Sequence, residues 1–280
     1  NLNLNYNTDA TLDYDVAASD FPRLQTSGSG TLLAPNPYAF LGDRYVRDVE
    51  LPADNPAFTS IKSTMFSQSS VRRITIPART DGNSWSMATE NVPGQSSVIK
   101  ARYFYCCSSL EAIDLTNVAS IAHTSDDRGM FNQCTSLAEV TLPDVAVTLQ
   151  GDDFYSCGAL EELTIPDSWV LSSTSTSRIW GYCTSLRVLD LGTGVTALCG
   201  SSYGSGALSR CTAMEDLVLR ASSMVTLSSP GHLFASSSAL VVPEGLRIWV
   251  PSGLRAAYEA DSCWGLYAGC FHDLEDYGQA

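Results

Sequence analysis

FNQCTSLAEVTLP, residues 131–143, decides how the rest of the chain is read. Counting from Phe131, Cys134 stands at +3, Ser136 at +5 and Leu137 at +6. Apolar Val140 and Leu142 follow at +9 and +11, and Pro143 closes the phrase at +12. The same frame fits FYSCGALEELTIP, residues 154–166, and recurs over 104–116, 180–192 and 208–220. Phe40 opens an earlier copy, with Asp43 in the Cys place and Val46, Val49, Leu51 and Pro52 in frame. Taking Met65 as the start of the second copy puts Val71, Ile74, Ile76 and Pro77 in frame and leaves Phe66 beside the column. Leu240 opens a last, stretched unit in which Ile248, Val250 and Pro251 recover the ending. A short phrase recurring at a nearly fixed step is the signature of a solenoid, in which no unit buries its apolar face alone.

Each unit predicts its own parts. Apolar residues at +9 and +11 point to one side of a strand while +10 points to the other. Pro at +12 ends the strand because it has no N–H to give the ladder. A second apolar pair, three apart, recurs as Phe58/Ile61, Val118/Ile121, Val195/Leu198 and Met224/Leu227 and reads as a second short extended segment. The F-x-x-C piece is too short for a full helix and reads as a helical or 3₁₀ turn. The step is 23 residues from Leu137 to Leu160 and 39 from Val71 to Leu110, so the long steps carry insertions. The largest insertion, about residues 78–97, contains DGNSW and NVPGQ; others fall near 122–128, 172–178 and 199–206. All are rich in Ser, Gly, Asn or Asp and read as surface loops. Residues 1–16 alternate apolar and polar and predict strand with a hairpin break at 8–10. The organisation expected is an N-terminal cap hairpin and connection over 1–37, repeats over 38–251, and a C-terminal cap over 252–280. In that cap Ser252 would open a short helix, and Trp264, Tyr267, Phe271 and Tyr277 would cover the last turn.

The composition removes whole classes of partner. Among 280 residues, 16 Lys and Arg stand against 30 Asp and Glu, a net charge of −14. No basic stripe exists to neutralise phosphates, so nucleic acid is excluded as a partner, and anionic membrane surfaces are disfavoured. No apolar run reaches the length of a membrane span. The nine cysteines are an odd number, and five of them (Cys107, Cys134, Cys157, Cys183 and Cys211) follow the repeat rather than any zinc or disulfide spacing. Cysteine there reads as a small, soft residue filling a tight spot under the turn. Cys263 and Cys270 are the pair best placed for a disulfide. Three histidines give no zinc spacing, Asp81–Gly82–Asn83 is too short for a calcium loop, and no cofactor is called for. The sequence opens at Asn1 with neither Met nor an apolar leader, which reads as a processed or trimmed segment.

MFNQCTSLAEVTLP and DFYSCGALEELTIP resemble the leucine-rich repeats of the BspA, or treponemal, type, and the ending LRIWVPSGLRAAYEADSCW is similar to that family's usual close. The resemblance implies a right-handed, β-rich leucine-rich repeat solenoid with short helical or 3₁₀ turns, here of about eight repeats between two caps. It further implies export, a bacterial cell-surface or secreted setting, and a binding or adhesion role. The family carries no catalytic pattern to transfer.

The candidate binding residues follow from the strand pattern. Position +10 projects away from the core: Glu50, Thr75, Asp114, Thr141, Thr164, Asp190, Val218 and Trp249. Glu50, Asp114, Glu139, Thr141, Thr164, Asp190 and Trp249 are the residues expected to meet an extracellular protein or glycan. At +7 and +8, Arg47, Arg72, Arg73 and Arg187 make one end of this face basic, while Glu111, Glu139, Glu161, Glu162, Glu215 and Asp216 make its middle acidic. Polar residues on such strands also serve solubility alone, and Trp249 is either an outward stacking residue or one buried beneath the aromatic tail. A structural spacer is the alternative role. Enzymatic action on glycans would need a carboxylate pair; Glu161/Glu162 face opposite sides of a strand, and Asp126/Asp127 lie in a loop beside His123 and Arg128. The chain is expected to be a monomer without catalytic residues.

Overall fold

The computed structural model describes residues 14–17, 40–56, 58–89, 102–123, 129–171, 173, 178–199, 206–228, 233–234 and 241–278. Two compact units, Asn1–Pro143 and Asp144–Ala280, divide the chain. In the first, chain order gives β1 (Tyr14–Val16), β2 (Val46–Glu50), β3 (Ser60–Lys62), β4 (Arg73–Thr75), β5 (Trp85–Ala88), β6 (Ala112–Asp114), β7 (Val118–Ile121) and β8 (Glu139–Thr141). They form two parallel sheets, ordered β1-β2-β4-β6-β8 and β3-β5-β7. The second unit runs β9 (Val147–Thr148), β10 (Glu162–Ile165), β11 (Trp169–Val170), β12 (Val188–Leu191), β13 (Ala197–Leu198), β14 (Asp216–Leu219), β15 (Thr226–Leu227), β16 (Arg247–Val250), helix α1 (Ser252–Ala260) and β17 (Phe271–Asp273). Its main sheet is β10-β12-β14-β16-β17, again parallel, with β9 paired to β11 and β13 to β15. One strand from each side of every turn is the solenoid arrangement that the repeat implies, in about seven turns.

Between the strands lies an apolar interior built in columns. The +9 column of the second unit runs Leu163, Leu189, Leu217, Ile248 and Phe271 in register. In the first unit the opening aromatics stack, Phe40 on Phe66 at 5.2 Å, Phe66 on Phe104 at 6.1 Å and Phe104 on Phe131 at 5.2 Å. The column aromatic of the second copy is therefore Phe66, not Met65. Ser69 takes the Cys place at +3 and its Oγ lies 3.8 Å from the Cys107 Sγ, so one residue has been lost between Ser69 and Val71.

The turn after each opening residue, aromatic in all of these copies but Leu208, is uniform. Two residues on, the backbone enters the left-handed region at Gly42, Gln68, Cys106, Gln133, Ser156, Tyr182 and Arg210. There the N–H points along the stack, and Gln68 donates to the Tyr105 carbonyl at 2.7 Å, as Cys106 does to Asn132 at 2.8 Å and Tyr182 to Ser209 at 2.7 Å. The cysteines are more specific than space-fillers. The thiol of Cys107 donates to the Phe66 carbonyl at 2.8 Å, Cys134 to Phe104, Cys183 to Phe154 and Cys211 to Trp180, the last three at 3.0 Å. Phe104, Phe154 and Trp180 each also accept from the N–H of the +3 residue in their own turn, so both lone pairs are used. No disulfide forms: Cys263 and Cys270 are both free thiols.

Two stretches read as loop or tail are ordered structure. Trp85–Ala88, inside the expected insertion, is β5 and completes the second sheet between β3 and β7. Arg79 holds it: its guanidinium lies 4.6 Å above the Trp85 ring, donates to the Phe58 and Asn55 carbonyls, and pairs with Asp81. Arg79 and Asn83 hold the Asp81 carboxyl well below the usual carboxylate range. The tail adds β17 to the main sheet and supplies side chains to open backbone groups. Val225 N–H donates to the Tyr258 hydroxyl, the Trp264 indole donates to the Val225 carbonyl, and Leu233 N–H donates to the Tyr267 hydroxyl. Pro251, rather than Ser252, stands at the helix N-cap, and the Ser252 hydroxyl reaches Glu275 instead. Of the hairpin expected over 1–16, Tyr14–Val16 is β1 and lies parallel to β2; residues 1–13, the connection over 18–37, and Leu240 fall outside the described residues.

Burial pushes the Cys107 thiol from 9.0 up to about 12, and Tyr258 and Tyr267 from 10.0 up to about 12. A folded-state pKa above the unfolded one stabilises fully below the unfolded value and is lost as pH rises through the folded value. The melting temperature is therefore expected to fall progressively between pH 9 and 12. Cys107→Ser, whose hydroxyl does not ionise in that range, should show a shallower fall in a pH series of thermal melts.

Candidate functional site

Strand alternation sets one row of side chains on the free face of each main sheet. In the first unit Val49, Ile74 and Ile113 point inward, with Val140 half-buried in register beside Ile113. Flanking them outward, Asp48, Glu50, Arg73, Thr75, Asp114, Glu139 and Thr141 are all exposed. Four of the sequence-predicted site residues thus share one open face: Glu50 beside Thr75, and Asp114 beside Thr141 with Glu139 two places along β8. Asp114 is oriented by its own turn, accepting from the Thr116 N–H at 2.8 Å and from its hydroxyl at 2.5 Å.

The equivalent face of the second unit is closed. Thr164 is exposed, but its neighbour Asp190 is only 9% exposed and takes both arms of the Arg220 guanidinium at 2.6 and 2.7 Å. One strand on, Asp216 is held in the same way by Arg247, at 2.7 and 2.6 Å, and also accepts from the Trp249 indole at 2.6 Å. Trp249 does leave the core side of β16, yet it is 3% exposed, with the Tyr277 ring at 5.3 Å and His272 at 5.0 Å. Of the two readings of Trp249, burial beneath the tail is what the structure holds. Burial, together with the carboxylates of Asp190 and Asp216, raises the Tyr277 pKa. Bidentate pairing to the two aspartates raises Arg220 and Arg247 above their ordinary value.

The expected separation of basic and acidic ends is also undone by pairing. Arg72 lies 2.8 Å from Glu111, with Arg73 at 3.8 Å from the same carboxylate. Arg187 serves Glu162 at 3.1 Å, Glu215 at 3.2 Å and Glu161 at 3.9 Å. Glu161 and Glu162 are thus both tied to one arginine, and Asp126, Asp127 and Arg128 lie outside the described residues. Such exposed pairs each contribute about 0.2–1 kcal/mol, so they orient the face more than they stabilise it.

Sequence reasoning missed a groove of about 430 Å³ at the strand ends of the second unit, lined by Asp144, Thr164, Asp167, Asp190, Gly192 and Arg220. Gly192 stands where other copies carry Pro. A Cβ there would sit 2.6 Å from the Ile165 carbonyl oxygen, so the close approach of the two strand ends requires glycine. That departure from the repeat, LGTG in place of a proline ending, was the available signal. Among the described residues no cluster of His, Cys, Asp or Glu is arranged to hold a metal ion, and no helix is long and apolar enough to cross a membrane.

Parallel turns with aliphatic columns inside and a polar strand face outside define a repeat solenoid. Six copies of the BspA-type leucine-rich repeat region match residues 29–84 and 97–225, and the chain belongs to that family. Its membership points to protein–protein interaction at a surface. No curated protein matches the chain.

The buried position of Trp249 gives a direct expectation. Trp249→Ala removes a large packed side chain and leaves Asp216 one donor short, so it should cost about 3–5 kcal/mol. Urea unfolding, read against the parent chain, measures it.

Proposed function

We propose that this chain is a non-catalytic binding module of an exported bacterial surface protein, and that it recognises an extracellular protein through the strand face of its first unit. One observation carries the reading: seven polar side chains on β2, β4, β6 and β8 stand exposed over an apolar row. Glu50, Asp114, Glu139 and Thr141 are the contact residues. Asp190 and Trp249, held in internal contacts, maintain the fold beneath the tail. A net charge of −14 favours a partner with basic side chains, which such a row of carboxylates attracts and orients. Family membership supports the interaction role, and the family setting supports surface localisation.

The test is an array of extracellular-matrix and serum proteins probed with the 280-residue chain. Replacing Glu50, Asp114 and Glu139 together by Ala should weaken any specific capture at least tenfold and leave the melting temperature within about 2 °C, because each is exposed. Capture that survives the triple substitution would move recognition off this face, and a chain that captures no protein would favour the spacer role.

A further inference from the structure

The turn edge of the second unit carries a surface that the repeat does not require. Tyr155 and Tyr182 lie side by side, ring centroids 5.3 Å apart and tilted by 56°. The Arg178 guanidinium lies 5.2 Å from the Tyr155 centroid and that of Arg210 lies 5.3 Å from Tyr182. Both Tyr182 and Arg210 occupy the left-handed place of their turns, with φ of 63° and 65°. Glycine is the residue this conformation favours, and Gly42 fills it in the first turn. A tyrosine there is strained, and it keeps 36% of its surface exposed. Gln68, Cys106, Gln133 and Ser156 take the same conformation in other turns, so the exposed ring, not the backbone, sets Tyr182 apart.

The neighbourhood is arranged around the two rings. Gly181 is bare where a Cβ would come within 3.3 Å of the Tyr155 ring, so that ring lies across the backbone of the next turn. Arg178 is already spoken for, 3.2 Å from the Asp152 carboxylate. Arg210 makes no ion pair among the described residues, so a full positive charge is presented beside an exposed ring. The backbone offers nothing to a peptide: Ser156 donates to Gly181, Gly181 to Arg178, Tyr182 to Ser209 and Arg210 to Phe234. Strand-like addition of a partner chain needs free main-chain groups, and here the donors are used.

From these observations we infer that the Tyr155–Tyr182 ridge, with Arg210, is a second binding site, for a glycan that carries a carboxylate sugar. A pyranose face presents polarised C–H groups to the negative face of an aromatic ring, with no demand on the protein backbone. The planar fork of Arg210 matches a carboxylate with two parallel hydrogen bonds. Tyr182 supplies the platform, Tyr155 its extension, and Arg210 the preference for an acidic over a neutral sugar. The site is separate from the strand face and stands or falls without it.

The experiment is a glycan array bearing sialylated, uronate-containing and neutral oligosaccharides, with acidic peptides printed alongside, probed with the full chain. Retention of sialylated or uronate glycans over neutral ones is expected, and which of the two is retained identifies the sugar. Tyr182→Gly should lower that binding at least tenfold while raising the melting temperature, because glycine relieves the left-handed conformation. Arg210→Gln should lower binding to the acidic glycans at least tenfold. The Glu50, Asp114 and Glu139 triple substitution should leave it unchanged. Binding that survives Tyr182→Gly, retention of acidic peptides alone, or no glycan retained would each overturn the proposal. So would a Tyr182→Gly chain that melts below the parent, since the tyrosine would then be held for packing.

Discussion

Everything in this fold depends on how one carbonyl is satisfied. The aromatic that opens a turn has a C=O with two lone pairs, buried where no water reaches. In the turns opened by Phe66, Phe104, Phe154 and Trp180 one pair takes the N–H three residues on, and the other takes a thiol from the following turn. An orphaned buried carbonyl costs on the order of 1–3 kcal/mol, and the repeat would multiply that cost by its copy number. Cysteine solves it with a donor on a short side chain that otherwise behaves as a small apolar group. The left-handed residue just before it turns its own N–H to the adjacent turn. Register between strands then follows from the turns, and the aliphatic columns follow from the register.

Much of this was legible because a repeat reports its own frame. The main-sheet strands around +9 to +11, the inward columns and four of the second short strands, β3, β7, β13 and β15, came from counting. What counting missed follows one rule: local deviation is invisible to an average. Loss of one residue after Ser69 put Met65 in frame on paper, whereas stacking with Phe40 and Phe104 selects Phe66. Trp85 looked like part of a polar insertion, because DGNSW reads as loop. Its strand exists because Arg79 reaches back to Phe58 and Asn55, a tertiary contact with no sequence period.

The candidate site was legible as a face but not as a surface. Alternation says which side chains leave the core, and it was right that Trp249 and Asp190 do so. It cannot say what then covers them. Tyr277, near the end of the chain, closes over Trp249, and Arg220 and Arg247 neutralise two aspartates that composition counts as free acid. Charges at +7 and +8 looked like opposite poles because sequence distance hid that Arg72 meets Glu111 and Arg187 meets three glutamates. The same burial that removes two residues from the candidate set leaves Glu50, Asp114, Glu139 and Thr141 accessible in the first unit and Thr164 in the second.

The thiol ladder has a use beyond holding turns together. Each of these cysteines is fully buried, so it becomes reactive only when its own turn opens. Cys107, Cys134, Cys157, Cys183 and Cys211 therefore form a graduated scale along the sequence, fixed by the repeat and needing no engineered label. Stacked repeats open locally and with unequal free energies, from fraying ends to guarded middles. The order in which these five sulfurs become modifiable is a readout of that hierarchy, written into the chain by the same residue that builds it.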